Sequence, residues 1–352
     1  MSSSLDVPPP NEEEEMMKAF VVSGSSASIK RVMKPRPAEG ECLVRVLIAG
    51  VCNTDLEILK GYMGFAGVVG HEFVGVCETG DLRGKRVVGE INLACGRCGV
   101  CGRGGVRARN HCPRRSVLGI LGKDGTYAEY LCLPRRNLWV VPDTVTTENA
   151  AFTEPLAAAL RIREQGVVKR NDKVAVVGDG KLGLMIARVL GDCTLFGRHQ
   201  SKMDLVAAKG SSPAGVEVAL AKDALPAKAA AFDVVVDATG SPSGLDLARQ
   251  LTRPLGTLVL KSTCAAGADF NTAPFVIDEL AVVGSRCGPF RPALDLLATG
   301  LDLTPFISHT FPLDDAATAV QRAAEKGCLK VHIRVSPDPP PRRWPLGGPR
   351  TK

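Results

Sequence analysis

Short apolar runs cut by glycine and proline fill the first part of the chain: KAFVV, ECLVRVLIAGVC, HEFVGVCE, KRVVGEI, TYAEYLCL and LWVVP. Runs of this length and punctuation predict strands, so the chain from Lys18 to about Pro142 reads as a mostly β unit with irregular loops. The stretch TTENAAFTEPLAAALRIREQG then carries an Ala/Leu-rich helical pattern, with Thr146 or Thr147 placed to cap it. After Asn171 the texture changes. Apolar strands KVAVVG, CTLFG, VEVAL, FDVVVDATG, TLVLKS and LAVVGSR alternate with helical patterns such as KLGLMIARVLG and SKMDLVAAKG. That alternation predicts an α/β fold with a doubly wound parallel sheet. From about Cys287 the chain runs through RPALDLLATG, a β piece near FISHTFPL, the helix DDAATAVQRAAEKG and a last strand KVHIRV. No internal repeat is visible. The pattern predicts a β-rich catalytic domain formed by both ends of the chain (17–150 and 286–335), with a dinucleotide-binding domain (151–285) between them. A leader (1–16) and a Pro-rich tail (336–352) are expected to be disordered.

Composition narrows the function. A length of 352 residues is enough for two hydrophobic cores. The net charge of +7 is concentrated partly in Arg103, Arg107, Arg109, Arg114 and Arg115, but aromatic residues make up 5% and none interleave these arginines. The charge therefore reads as a solvated basic surface and not as a nucleic-acid site. No apolar run reaches membrane-spanning length, and the opening MSSSLDVPPPNEEEEMMK has no apolar signal region. The expected compartment is the cytosol, where clustered cysteines read as metal ligands before disulfides.

VAVVGDGKLG places Gly178, Gly180 and Gly183 in G-x-G-x-x-G spacing after an apolar strand, with Lys181 and Leu182 in the same turn. The first glycine permits a tight turn and the second a close approach to a pyrophosphate. The third lets the helix pack close to the strand, its N-terminus facing the anion. The next strand ends at Gly197, where an NAD site would carry an acidic residue for the ribose hydroxyls; Arg198 and His199 follow. This predicts NADP(H) over NAD(H), with Gly197 removing an acid's repulsion and making room for a 2′-phosphate and with two cationic donors to hold it.

Four cysteines, Cys95, Cys98, Cys101 and Cys112, cluster in one loop, and GVCNTDLEILKG, GHEFVG, TEPLAAAL and DATGSPSG occur around them and the glycine-rich turn. In these motifs and their order, from about Met17 to Val335, the chain resembles the zinc-dependent medium-chain dehydrogenase/reductase family of alcohol, polyol and threonine dehydrogenases. The resemblance implies a Rossmann domain inserted in a GroES-like catalytic domain, and zinc sites of two kinds. A structural zinc would take the four clustered cysteines, a closed thiolate tetrahedron. Ten residues separate Cys101 from Cys112, a longer spacing than the family's, and His111 beside Cys112 is a bystander. A catalytic zinc would take Cys52, His71 and Glu154, with an open position for water or the substrate oxygen and Glu72 as a competing carboxylate.

The same resemblance gives Thr54 a role in relaying the substrate proton, the alternative being a helix cap. Asp55 would accept the spare ring N–H of His71, or cap the helix. Ala238, Thr239 and Gly240 would line the nicotinamide. Lys330 would touch the pyrophosphate, or be a solvated strand-end lysine. Tyr62, Met63, Phe65 and Ile91 either shape the substrate pocket or pack in the core.

The expected function is a zinc-dependent oxidoreductase acting on CH–OH donors, moving hydride between NADP(H) and an alcohol or polyol or its carbonyl. An NAD-dependent sorbitol- or threonine-type enzyme is one alternative. A non-catalytic zinc- and nucleotide-binding sensor or scaffold is the other. A homodimer or homotetramer is expected through DELAVVGSR, an apolar strand that would otherwise be an unprotected sheet edge.

Overall fold

Antiparallel pairing organises the two ends of the chain, apart from one parallel pair between its last two strands, and parallel pairing organises the middle. The computed structural model describes residues 15–24, 26–207, 215–263 and 271–338. Residues 1–14 and 339–352, most of the expected leader and tail, lie outside the described residues.

The N-terminal part supplies β1 (Met16–Ser23), β2 (Ser26–Met33), β3 (Glu41–Gly50), β4 (Gly67–Val68) and β5 (Glu72–Cys77). It continues with β6 (Arg86–Gly89), β7 (Asn92–Leu93), β8 (Ser116–Val117), β9 (Tyr130–Pro134) and β10 (Leu138–Val140). The middle supplies β11 (Val174–Val177), β12 (Cys193–Gly197), β13 (Val216–Leu220), β14 (Phe232–Asp237), β15 (Thr252–Leu260) and β16 (Ala281–Gly284). The chain ends with β17 (Ile307–Pro312) and β18 (Lys330–Arg334).

The larger β-rich sheet runs β10-β6-β5-β3-β18-β17, with β9 also on β3. β18 lies antiparallel to β3, His332 opposite Gly50, so the end of the chain completes the sheet its beginning started. The parallel sheet runs β13-β12-β11-β14-β15-β16, the strand order of a doubly wound dinucleotide fold. Its central strand β11 is buried along its whole length because helices cover both faces.

Alternation along β11 separates two cores. Val174 and Val176 face a core shared with the β-rich part, where Leu47 and Val74 meet Phe152, Leu156 and Phe290. Ala175 and Val177 face the opposite core, where Phe196 and Phe232 pack edge to face at 5.8 Å. A further core, with Phe20, Val46, Leu133 and Ile333, lies wholly within the β-rich part.

Two local features differ from the sequence pattern. The expected single helix after Pro142 is two, Thr147–Ala150 and Thr153–Glu164. Thr146 caps the first, its Oγ1 accepting the Asn149 N–H at 3.2 Å. Pro155, which has no N–H to give, is tolerated only in a first turn, so a helix starts afresh at Thr153 and carries Glu154 at its beginning. β2 was not anticipated. It pairs with β1 alone and is largely exposed, so its residues SASIKRVM lack the apolar signature of a buried strand.

Candidate active site

Where β3 ends the chain turns into the helix Asn53–Leu59, with Cys52 as its N-cap residue. Asp55, fully buried, closes a capping box: its Oδ2 accepts the Cys52 N–H at 2.8 Å. The same oxygen accepts the Tyr127 hydroxyl at 2.7 Å, while Oδ1 lies 3.2 Å from Nδ1 of buried His71. Asp55 faces the imidazole, and it is the third residue of the helix and not its N-cap, which is Cys52. Burial works against the charged form of each partner, and their mutual attraction overrides it. Asp55 is held below the usual carboxylate range and His71 well above the usual imidazole value. The carboxylate favours positive charge on the ring, whether proton or metal, and leaves Nε2 as the nitrogen free to ligate.

Ligand atoms of Cys52, His71 and Glu72 lie within 4.8 Å of one another. Thiolate, imidazole and carboxylate are a donor set that suits zinc. Glu154, the carboxylate expected to complete that set, stands outside this group. It is partly buried, and burial pushes its carboxyl up while His71 opposes the shift. Glu72 instead shares an ion pair with Lys330, both wholly buried. The strand-end alternative for Lys330 is corrected here: its side chain is wholly buried, and its ammonium is held by Glu72 and the Val51 carbonyl and not by solvent. Lys330 Nζ also donates to the Val51 carbonyl at 3.2 Å, and Lys181 Nζ donates to the same oxygen at 3.1 Å. Thr54 Oγ1 is 3.7 Å from Cys52 Sγ. With Cys52 as the N-cap, the capping alternative for Thr54 falls away. Tyr127, the floor under Asp55, was not foreseen; inside TYAEYLCL it looks like any strand aromatic. Of the pocket candidates, Tyr62 and Met63 are exposed, Ile91 is buried in the β-rich core, and Phe65 packs against that core.

The cysteine loop closes on itself. Sγ–Sγ separations are 3.3 Å for Cys98–Cys101, 3.6 Å for Cys95–Cys112, 3.7 Å for Cys98–Cys112 and 3.8 Å for Cys95–Cys101. A tetrahedron with Zn–S bonds of about 2.3 Å has edges of about 3.8 Å, so the four sulfurs fit zinc. Hydrogen bonding from the Arg97 backbone and from the neighbouring thiols holds Cys95 down to about 6. The longer spacing before Cys112 is taken up by the helix Gly105–Asn110, and Cys112 is fully buried.

The glycine-rich turn fits a dinucleotide. Gly178 has φ +120°, and a Cβ there would stand 3.0 Å from the Ala238 backbone. A Cβ at Gly183 would run into the Gly178 carbonyl, whereas one at Gly180 meets nothing within 4 Å. The space over the N-terminus of the helix Lys181–Leu190 is therefore open where a pyrophosphate would approach. Leu182 packs against the shared core. Ala238, Thr239 and Gly240 follow β14 at the same end of the sheet, with Thr239 Oγ1 donating to Asp237 Oδ1 at 2.7 Å.

At the end of β12 the expectation needs correcting. Gly197 does not leave room for a phosphate: a Cβ there would stand 2.6 Å from both Asp179 Cβ and Met203 Sδ. Asp179, from the glycine-rich turn, fills that space, and its Oδ2 lies 2.8 Å from His199 Nδ1. Arg198 is exposed.

The Alcohol dehydrogenase GroES-like domain matches residues 38–143. The chain is 31% identical to L-threonine 3-dehydrogenase of Streptomyces coelicolor over 344 residues, covering 88% of this chain and 96% of that protein. Among solved structures it is similar to a protein of Sinorhizobium meliloti described as a zinc-binding dehydrogenase and bound to NADP. The TM-score is 0.80 at 28% identity, over 91% of this chain and 99% of that one. It is also similar to an alcohol dehydrogenase (rspB) of Escherichia coli in complex with NADH, with TM-score 0.80 at 27% identity, over 91% and 100% of the two chains.

Proposed function

Because the chain belongs to the zinc-binding medium-chain dehydrogenase/reductase family, we propose that it is a zinc-dependent oxidoreductase interconverting an alcohol or polyol and its carbonyl with a nicotinamide dinucleotide. One observation carries the reading. Lys181, in the glycine-rich turn, donates to the carbonyl of Val51, the residue before Cys52, so the nucleotide crevice and the metal donor set are neighbours.

Bound zinc would polarise the oxygen of the alcohol or carbonyl, and the nicotinamide would accept or supply the hydride. The chain's own residues bind, orient and move the proton. Cys52 and His71 supply two donors, and we assign the third to Glu154, because the charge of Glu72 is already matched by Lys330. Asp55 orients His71 and is itself fixed by Tyr127. The Thr54 hydroxyl, beside Cys52 Sγ, is placed to pass on the proton of the substrate hydroxyl. Gly178, Gly180 and Gly183 admit the pyrophosphate, and Ala238 to Gly240 the nicotinamide end.

Exposed Arg198 supports the use of NADP(H), as a guanidinium suited to a 2′-phosphate. A homodimer or homotetramer is supported by β16, which ends the parallel sheet with Ala281 and Val282 exposed. Exposed Val276 and Ile277 end the short helix before it, with three residues between the two elements. Among the described residues no helix is long and apolar enough to cross a membrane. The free thiols of the described cysteines support a cytosolic location.

The reading is tested by a panel of secondary alcohols, polyols and their ketones with either dinucleotide, followed by the absorbance of the reduced nicotinamide. Turnover that vanishes on chelation and returns with zinc supports it. No turnover with any member of the panel, from protein that carries zinc, counts against it.

A further inference from the structure

β11 leaves the sheet through Gly178 and Asp179, and the Asp179 side chain turns to the end of the neighbouring strand β12. Its Oδ2 accepts the backbone N–H of Arg198 at 2.8 Å and of His199 at 2.6 Å. The His199 ring contacts the same oxygen through Nδ1 at 2.8 Å. An ionised carboxylate only accepts, so Nδ1 carries the hydrogen. Burial pushes the Asp179 carboxyl up, but the hydrogen bonds from His199 and Arg198 outweigh it and hold the group below its usual range. Oδ1 accepts no hydrogen bond among the described residues. Gly197 belongs to the same arrangement, since no side chain fits at 197 while Asp179 lies against it.

In doubly wound sheets the dinucleotide lies across the carboxyl ends of the strands, and an acidic side chain at the end of the second strand accepts the adenosine ribose hydroxyls. Here that strand ends in glycine, and a carboxylate reaches the same place from the glycine-rich turn. We propose that Asp179 is the residue that reads the adenosine ribose, its unused Oδ1 accepting the 2′-hydroxyl of NAD(H) and its charge opposing the 2′-phosphate of NADP(H). Cofactor choice is then a balance struck between two neighbouring loops, Asp179 drawing toward NAD(H) and Arg198 toward NADP(H). The inference rests on the reading of the chain as a dinucleotide-dependent oxidoreductase.

The test is equilibrium binding of NADH and NADPH to the full-length protein, followed by nucleotide fluorescence, for the unaltered chain, Asp179→Asn and Asp179→Ser. Both replacements remove the charge; Asn keeps a carbonyl oxygen in reach of the Arg198 and His199 N–H groups, and Ser, one bond shorter, does not. The ratio of the NADH to the NADPH dissociation constant should rise at least about tenfold, the effect of losing one charge-assisted hydrogen bond. An unchanged ratio in folded variants, judged by circular dichroism, overturns the role given to Asp179. If neither variant folds, the unaltered protein decides: 2′-deoxy-NADH should bind about tenfold more weakly than NADH, and equal binding overturns the proposal. Failure of the unaltered protein to bind either dinucleotide refutes the underlying oxidoreductase reading, and this inference with it.

Discussion

Lys181 Nζ donates to the Val51 carbonyl at 3.1 Å across 130 positions of sequence, and Lys330 Nζ donates to the same oxygen at 3.2 Å. One backbone carbonyl thus gathers the glycine-rich turn, the last strand and the turn at Cys52. Burial and the neighbouring Lys330 charge lower the Lys181 pKa, so its ammonium is held in place at some cost. Lys181→Met should loosen the junction and reduce kcat/KM about tenfold, the scale of a hydrogen bond to a charged group. Steady-state kinetics beside a thermal melt decide it: equal kcat/KM and equal melting would show the contact to be idle.

Two metal sites should behave independently. Cys52→Ser should lose one zinc and abolish activity, while Cys98→Ser should lose the other and lower the melting temperature. Between the two carboxylates, Glu154→Gln should lose the catalytic zinc. Glu72→Gln should keep it but leave Lys330 buried and unpaired, at a cost of about 3–5 kcal/mol. Elemental analysis and chemical denaturation separate the cases. Zinc loss in Glu72→Gln with retention in Glu154→Gln would reverse the assignment.

Arg198→Ala should raise the KM for NADPH about tenfold and leave NADH nearly unchanged. The usual route to switching such a site, an acid at the end of the second strand, is closed here. Gly197→Asp must collide with Asp179 Cβ, so it should destabilise the protein before it alters cofactor choice. A stable Gly197→Asp variant with a clean switch to NADH would contradict the packing described.

His332 is buried, its ring lies tilted against that of Phe152 at 5.2 Å, and neither ring nitrogen finds a hydrogen-bond partner among the described residues. Burial, with Lys330 and Arg334 beside it, pushes its pKa from 6.5 down to about 3. The native state keeps the ring neutral where the unfolded chain takes up a proton. Stability should therefore fall as pH drops from 6.5 toward 3, with a slope from this group of at most about 1.4 kcal/mol per pH unit. His332→Phe should flatten that part of a denaturation-versus-pH curve. The same slope in both proteins would remove His332 from the account.

Much of this was legible in the sequence, for physical reasons. Strands buried on both faces, such as VAVV in β11, are continuous apolar runs and announce themselves. Cys95 to Cys112 lie close in sequence, and loop chemistry brings them together with little help from the fold. Features set by distant contacts were hidden. Asp179 and Gly197 constrain each other across two strands, so the glycine alone looked like vacant space. Lys330 looked like a strand-end lysine because its burial depends on which strands flank β18. Glu72 and Glu154 each sit in a matching motif, and only the fold shows that Glu72 lies beside Cys52 and His71 and carries the buried Lys330 partner.

The pairing of β18 with β3 also sets an order in time. Domains form as units while the chain is being synthesised, N-terminal parts first. Here the first domain to begin is the last that can finish. Cys52, His71 and Glu72 emerge early, but the strand that flanks them and the lysine that balances Glu72 come after the whole nucleotide domain. Until β18 is made, the nascent chain therefore lacks the strand that pairs along one side of β3 and the lysine that pairs with Glu72. A ribosome stalled before Lys330 should hold a parallel-sheet domain beside a β-rich domain that still lacks a strand.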